Sequence, residues 1–260
     1  MIKAQNKCKS IVVKFGGSVI TDKTKSYTIK HDVLDRLAKI TKDYLERGGR
    51  IAIVHGGGSF GHHEVKRIED EKGVLESSDA PQIQYSMLLL ALEVSKTLLR
   101  HGIPAVLHPP HTLCEKPSVK NCRMSPILRD YTQSLVPVTY GDAIPYDDKI
   151  YIISGDDLAA ALVSILNTDC LVYVIDEPGV MTGEGKILET VTSLGDLEIR
   201  ENNRIDVTGG LRKKLETALE LSNHYRGTIV ITNPDGFERI LKRQDITGVG
   251  TIIRATRPED

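Results

Sequence analysis

The residues best suited to chemistry in this chain are two glycine turns near its start. Lys14-Phe15-Gly16-Gly17-Ser18 is the first, and His55-Gly56-Gly57-Gly58-Ser59-Phe60-Gly61-His62 is the second. Each follows a short apolar run, residues 10–13 and 51–54, that reads as a strand, and each precedes a segment able to open a helix. Glycine lets backbone N–H groups approach a ligand closely, and a helix N-terminus adds partial positive charge, so such turns suit phosphate groups. Two of them, one led by Lys14 and one closed by His62, predict two phosphate cradles facing each other and a phosphoryl group moving between them.

Further residues fit that chemistry. Lys14 ends a buried-looking strand, and ligands of open α/β sheets bind outside those strand ends. Lys23, in Thr21-Asp22-Lys23, is less specific, because a loop lysine is usually solvated. Ser154-Gly155-Asp156-Asp157 follows another apolar run and precedes an Ala-rich helix. A helix cap with acids in its first turn accounts for one aspartate, stabilising at roughly 1 kcal/mol. Two adjacent acids at a strand end predict that one of them orients the lysines. Asp206-Val207-Thr208-Gly209-Gly210 is a third glycine turn, followed by Arg212, Lys213 and Lys214. Cations at a helix N-terminus oppose the dipole, and a bound polyphosphate would account for them, whereas a solvated basic face fits Arg212 and Lys213 well but need not cover all three.

Other chemistries are weaker. Gly56-x-Gly58-x-x-Gly61 matches a dinucleotide fingerprint, with Glu76 or Asp79 as a ribose partner, but His55 and His62 stand where that motif wants small or apolar residues. No P-loop sequence occurs, so ATP would be held by another architecture. His62, His63, His108 and His111 have no zinc-like spacing, and no metal-ligand set is predicted. A serine-hydrolase elbow is absent.

The elements that position these residues alternate. Helical spacing runs over 34–45 and stops at Gly48-Gly49, and a strand follows at 51–54. After the second turn come a charged stretch over 64–72 and a turn-rich link over 76–81. Ile83, Met87, Leu90, Ala91, Val94 and Leu98 trace one face of a long helix closing at Gly102. Residues 105–108 are β-compatible, 126–135 read as a short helix, and 136–140 as a strand. In the second half, 150–153, 171–175, 228–231 and 251–254 read as strands, 158–166 and 211–223 as helices, and 177–186 as a loop. This alternation predicts an α/β fold with a largely parallel sheet and helices on both faces. No linker, repeat or low-complexity tract divides the chain, so 1–260 is expected to be one domain on one continuous sheet.

The 260 residues carry 34 basic and 35 acidic side chains, net charge -1, which offers no footprint for nucleic acid or an anionic membrane. The longest apolar run, 87–92, is too short to span a bilayer, and the N-terminus lacks a signal-like segment, so a cytoplasmic setting is expected. Four cysteines, Cys8, Cys114, Cys122 and Cys170, form no C-x-x-C pair, and buried or incidental thiols are expected rather than disulfides.

Taken in order, K-F-G-G-S, H-G-G-G-S-F-G-H, S-G-D-D and D-V-T-G-G-x-x-x-K resemble the amino acid kinase superfamily over essentially the whole chain. Within it, the Gly61-His62 ending of the second turn resembles the isopentenyl phosphate kinases, with fosfomycin kinases as near relatives. The resemblance implies an open αβα sandwich, usually a homodimer, with ATP and Mg²⁺ as cofactors and a small-molecule phosphate as acceptor. It implies an N-terminal lobe to about residue 170 for the acceptor phosphate and a C-terminal lobe from about 171 for ATP.

Matched motif by motif, Lys14, Lys23 and Lys214 would contact the transferring phosphates, with Asp156 or Asp157 orienting them. Gly16, Gly17, Ser18, Asp176, Gly179 and Gly209 would line the ATP site. Gly56, Gly57, Gly58, Gly61, Gly155 and His62 would hold the acceptor phosphate, and Ile83, Met87 and Ile152 its apolar tail. One motif departs: where the superfamily has Thr-Asp-Val-x-Gly-Val, this chain has Ile175-Asp176-Glu177-Pro178-Gly179-Val180. The readings that follow are phosphorylation of isopentenyl phosphate, phosphorylation of another small phosphate or phosphonate, or nucleotide sensing without turnover.

Overall fold

The computed structural model describes residues 7–182, 184–195 and 209–255. Asp206, Val207 and Thr208 of the third glycine turn lie outside them. Ten strands are present among the described residues: β1 Ser10–Phe15, β2 Arg50–His55, β3 Ala105–Leu107, β4 Val136–Tyr140, β5 Asp142–Tyr146, β6 Lys149–Ile153, β7 Cys170–Val174, β8 Thr190–Val191, β9 Thr228–Thr232 and β10 Thr251–Ile253. The helices are α1 Gly17–Ile20, α2 His31–Glu46, α3 Gly58–Lys72, α4 Ala80–Arg100, α5 Pro110–Leu113, α6 Ser125–Thr132, α7 Gly155–Ile165, α8 Gly209–Ser222 and α9 Pro234–Arg243.

Eight strands form one sheet in the order β3-β4-β2-β1-β7-β9-β10-β8, parallel throughout except for the β9–β10 pair. β1 sits at the centre, and its residues serve both faces. Ile11, Val13 and Phe15 pack with Leu37, Leu90 and Phe237 on the side of α2, α4 and α9. Val12 packs on the opposite side with Leu158 and Leu162 of α7 and Leu215 and Ala218 of α8. Burial on both faces is why the strand reads as a continuous apolar run, each fully buried Val or Ile contributing about 1.5–3 kcal/mol. This is the predicted αβα sandwich. Because the strands are parallel, the C-terminal ends of β1, β2 and β7 lie along one edge, and both N-terminal glycine turns leave from it.

Several expectations need correction. The apolar run at 150–153 belongs to β6, which pairs antiparallel with β5 in a separate hairpin rather than with the main sheet. Pro145 and the turn at Asp147, with φ 51°, hid β5 as a strand. The charged stretch 64–72 completes α3, whose buried stripe is only Glu64 and Ile68 beyond the glycine turn, too sparse for periodicity to reveal. Helix α9 also escaped the reading, although the Asn233 side chain caps it by accepting from Gly236 N and Pro234 opens it.

The cysteines are paired, not free: Cys8 with Cys170 and Cys114 with Cys122. Cys8 precedes β1 and Cys170 begins β7, its parallel neighbour, so strand pairing joins residues with no sequence proximity.

Candidate functional site

The two glycine turns touch through their backbones. A Cβ on Gly17 would lie 2.2 Å from Gly58 N, and one on Gly56 would lie 2.9 Å from Gly17 N and 3.4 Å from Lys14 Nζ. Gly58 has φ +50°, and its Cβ would stand 2.1 Å from Thr21 Oγ1. Side chains are excluded here by contact between two chain segments, which leaves a short span between the start of α1 and the start of α3. Gly16 closes against β7, where its own Cβ would meet Val174 O at 2.9 Å. At the start of α3, Ser59 N donates to Thr21 Oγ1 at 2.9 Å, and Phe60 N and Gly61 N donate to Gly57 O at 3.0 and 3.1 Å, so the Gly58 amide is the one best suited to an anion.

Asp156 is the hub beside those turns. Lys214 Nζ donates to both of its carboxylate oxygens at 2.7 Å, and Lys14 Nζ lies 3.0 Å from Oδ1. All three side chains are largely buried. Burial works to raise the Asp156 pKa, but the Lys14 and Lys214 charges outweigh it and hold the carboxyl below its ordinary range. Lys214 is pushed down to about 8, chiefly by burial and then by the Lys14 charge, with Asp156 opposing. Its ammonium also lies 4.7 Å from the centre of the Tyr173 ring. Two buried cations thus share one carboxylate, and the excess positive charge faces the glycine turns.

Asp157 does not join this cluster. Its amide donates to Ser154 Oγ at 3.1 Å, which caps α7, and its carboxylate accepts from Thr217 Oγ1 at 3.2 Å. Successive helix residues point about 100° apart, so only one of two adjacent aspartates can face the lysines.

His62 stands exposed in the first turns of α3. Desolvation of its ring lowers its pKa first, followed by the Lys23 and Lys14 charges. Lys23 itself is exposed on the near limb of a turn whose base is the Thr21–Ile29 bridge.

The apolar residues expected around the acceptor divide. Met87 is buried directly beneath the second turn, its Sδ 2.6 Å from where a Gly61 Cβ would be and 3.1 Å from where a Gly57 Cβ would be. Ile83 is buried with Ile68 and Ala143, and Ile150 packs against them. Ile152 is opposite Ala143 in the hairpin, hence on the same face, yet it is 52% exposed. It borders open space beside a packed apolar cluster. Gly155 is buried at the start of α7, with no room for a Cβ against His55 O at 3.0 Å.

On the other side, Ser18 O accepts from Lys30 Nζ at 2.7 Å, and Lys30 lies 3.9 Å from the half-exposed Asp176. Gly209 is the first residue of α8, the helix that delivers Lys214. Gly179 is closely packed: its Cβ would meet Thr251 Oγ1 at 2.7 Å and Ile187 Cγ2 at 2.8 Å, so contact with β10 by itself requires glycine there.

Three aromatic or imidazole groups at the site escaped the sequence reading. His55 is fully buried, its ring stacked on Tyr140 with centroids 5.2 Å apart, and its Nδ1 meets Gly56 O at 3.2 Å. Burial lowers its pKa to about 4, so it is neutral at pH 7. Tyr173 lies under Lys214. The third is Tyr27, whose hydroxyl donates to Glu64. Only the histidine beginning the second turn carried a signal. The remaining histidines form no metal cluster: His108 pairs with Asp130 at 3.0 Å and His111 with Asp142 at 2.7 Å. Among the described residues no group of three or more His, Cys, Asp or Glu side chains is placed to hold a metal ion. Asp79 is taken up by Lys72 and the Glu76 amide, which removes it as a ribose partner.

A parallel-sheet edge with two abutting glycine turns and a lysine–aspartate–lysine cluster belongs to enzymes that transfer phosphoryl groups without a P-loop. The sequence profile of the amino acid kinase family matches residues 9–233, and the chain belongs to that family. It is 32% identical over 221 residues to the isopentenyl phosphate kinase of Methanocaldococcus jannaschii, covering 79% of this chain and 85% of that one. It is 28% identical over 252 residues to the isopentenyl phosphate kinase of Thermoplasma acidophilum, covering 94% of this chain and 100% of that one. The crystal structure of the T. acidophilum isopentenyl phosphate kinase product complex superposes with a TM-score of 0.76 at 25% identity, over 94% of this chain and 100% of that chain.

Proposed function

We propose that this protein transfers the γ-phosphoryl group of ATP to the phosphate of isopentenyl phosphate, giving isopentenyl diphosphate and ADP. The observation that carries this reading is Asp156 holding Lys14 and Lys214 beside the contact of the two glycine turns, in a chain whose second turn ends in His62. A phosphate acceptor is already nucleophilic, so the protein needs no strong base. It must bring two anions together and neutralise charge as it shifts from the donor to the bridging oxygen. Lys14 and Lys214 stand where that charge passes in this reading, and His62 with the Gly57 and Gly58 amides would hold the acceptor phosphate, since the Gly56 amide already donates to Phe15 O at 3.0 Å. ATP lies on the β7–β9 side in this reading, bordered by Gly16, Ser18 and Asp176, so the lobe to about 170 takes the acceptor and the remainder takes ATP. Mg²⁺ would neutralise the nucleotide's own phosphates.

The apolar tail would lie over Met87 and Ile83 against Ile152, whose exposed side chain a tail would cover. A homodimer is part of the reading. Tyr85, Leu92 and Leu99 repeat every seventh residue along α4 and are 64%, 50% and 56% exposed, and β3 beside them is a sheet edge. ATP as donor favours a cytoplasmic setting, although the two cystine pairs are unusual for a reducing compartment.

ADP release measured across isopentenyl phosphate, dimethylallyl phosphate, fosfomycin and acetylglutamate tests the assignment. Highest kcat/KM with isopentenyl phosphate supports it. Preference for fosfomycin or acetylglutamate overturns the acceptor, and ATP binding without turnover on any of them overturns the enzyme in favour of a sensor.

A further inference from the structure

The turn that carries Lys23 is fastened to the helix that carries His62. Asp22 N donates to Thr28 O at 2.9 Å, closing residues 21–29 into a narrow loop with Lys25 midway and Lys23 on its near limb, next to Asp22. Its base is tied to the glycine turns, since Thr21 Oγ1 donates to Gly17 O at 2.7 Å and accepts from Ser59 N at 2.9 Å. Its far limb is tied to α3: Tyr27 N donates to Ser59 O at 3.1 Å, and Thr28 N donates to Ser59 Oγ at 3.2 Å. The Tyr27 ring then lies edge-on to Phe60 and His63, with centroids at 5.2 and 5.4 Å, and its hydroxyl donates to Glu64.

Two features mark this contact as more than a loop resting on a helix. Tyr27 has φ +49°, a conformation that costs an ordinary residue energy and persists where its surroundings enforce it. Glu64, its partner, is 6% exposed on a helix face otherwise rich in solvated charge. Arg67 grips Glu64 at 2.6 Å and reaches Gln82 Oε1 on α4 at 2.6 Å, so the acceptor of the Tyr27 bond is itself held in place. Hydrogen bonds thus lead from α4 through Arg67 and Glu64 to Tyr27, which is itself 41% exposed, and the loop continues from Tyr27 back to Lys23.

We infer that Tyr27 is a positioning residue: its hydroxyl, bound to Glu64, holds the 21–29 loop so that Lys23 stands over the groove beside Lys14 and His62. The inference rests on the phosphoryl-transfer reading above. Lys23 is exposed and mounted on a loop, whereas Lys14 and Lys214 are fixed by burial and Asp156. A cation on a long flexible stem contributes to a transition state only where its backbone is held.

The test compares wild type, Tyr27→Phe, Lys23→Ala and the double variant with ATP and isopentenyl phosphate. Limited trypsin digestion is followed at Lys23 and Lys25. Tyr27→Phe keeps the ring contacts and removes only the hydroxyl. It is expected to lower kcat about tenfold with both KM values within about twofold, and to cost less than about twofold in the Lys23→Ala background. Cleavage in the loop is expected to be several-fold faster at an unchanged thermal midpoint, on the order of a local opening. Glu64→Gln, which still offers an oxygen to the phenol, is expected to retain more activity than Glu64→Ala. Unaltered kcat in Tyr27→Phe overturns the inference, as do equal fold losses in both backgrounds. If wild type turns over no acceptor, the enzymatic reading has failed, and the trypsin comparison still decides whether Tyr27 holds the loop.

Discussion

Asp156 receives both of its hydrogen bonds from Lys214 at 2.7 Å, one on each carboxylate oxygen, while Lys14 shares one of those oxygens at 3.0 Å. One carboxylate from α7 therefore fixes two lysines delivered by β1 and α8. A charge so fully enclosed is costly to leave unpaired. Asp156→Asn is expected to destabilise the protein by about 3 kcal/mol and to lower kcat by about 100-fold, because both lysines lose their counter-charge. Asp157→Asn keeps an oxygen to accept from Thr217 and is expected to stay within about threefold of wild type. Denaturation midpoints and steady-state kinetics on the two variants check this, and equal losses would remove Asp156 from its position as hub.

The lowered pKa of Lys214 gives a pH dependence with a definite sign. Its charged form is the useful one, and in the free enzyme that form is lost above about pH 8 rather than above the ordinary lysine value of 10.5. The kcat/KM for ATP is expected to fall about tenfold per pH unit beyond that point, since kcat/KM reports groups of the free enzyme. Bound phosphates favour the ammonium, so kcat should hold to higher pH. A flat kcat/KM profile up to pH 10 would mean that the Lys214 charge is not required.

His62 offers a ring N–H to the acceptor phosphate in the proposed reading. A hydrogen bond to a charged group contributes about 1.5–3 kcal/mol, so His62→Ala is expected to weaken acceptor binding about tenfold to a hundredfold. His62→Gln retains a donor and should retain more. Wild-type acceptor kinetics in the alanine variant would place His62 outside the site.

His55 links the site to acid stability. Burial lowers its pKa from 6.5 to about 4, so between those values the unfolded chain takes up a proton that the folded protein refuses. Its contribution is complete above pH 6.5 and is lost as pH falls toward 4, up to about 3 kcal/mol. Imidazole NMR should find His55 neutral at pH 5.5. Urea midpoints should fall from pH 7 to pH 4, with part of that slope absent in His55→Gln. Titration of His55 near 6.5 would contradict its enclosure beneath Tyr140.

The chemistry of this chain is local enough to be read from its letters. Glycine pairs after apolar runs, a lysine at a strand end and Ser154 before two acids each predict backbone and charge within a few residues, and those features depend little on the rest of the fold. The alternation of elements likewise followed from period and length, because both faces of β1 and β7 are buried and, Ser10 and Lys14 apart, every residue there is apolar. Sparse signals failed: α3 buries two residues past its glycine turn, and β5 contains a proline.

What only the tertiary structure decided is which residue meets which. Asp156 rather than Asp157 faces the lysines because α7 is rotated against β1 and α8, and no spacing along the chain encodes that rotation. Cys8 meets Cys170 because β1 pairs with β7. Gly179 answers to β10, and Tyr27 holds its left-handed conformation against Glu64. Each is a contact between segments brought together by core packing, whose energy is spread over many side chains and written at no single position.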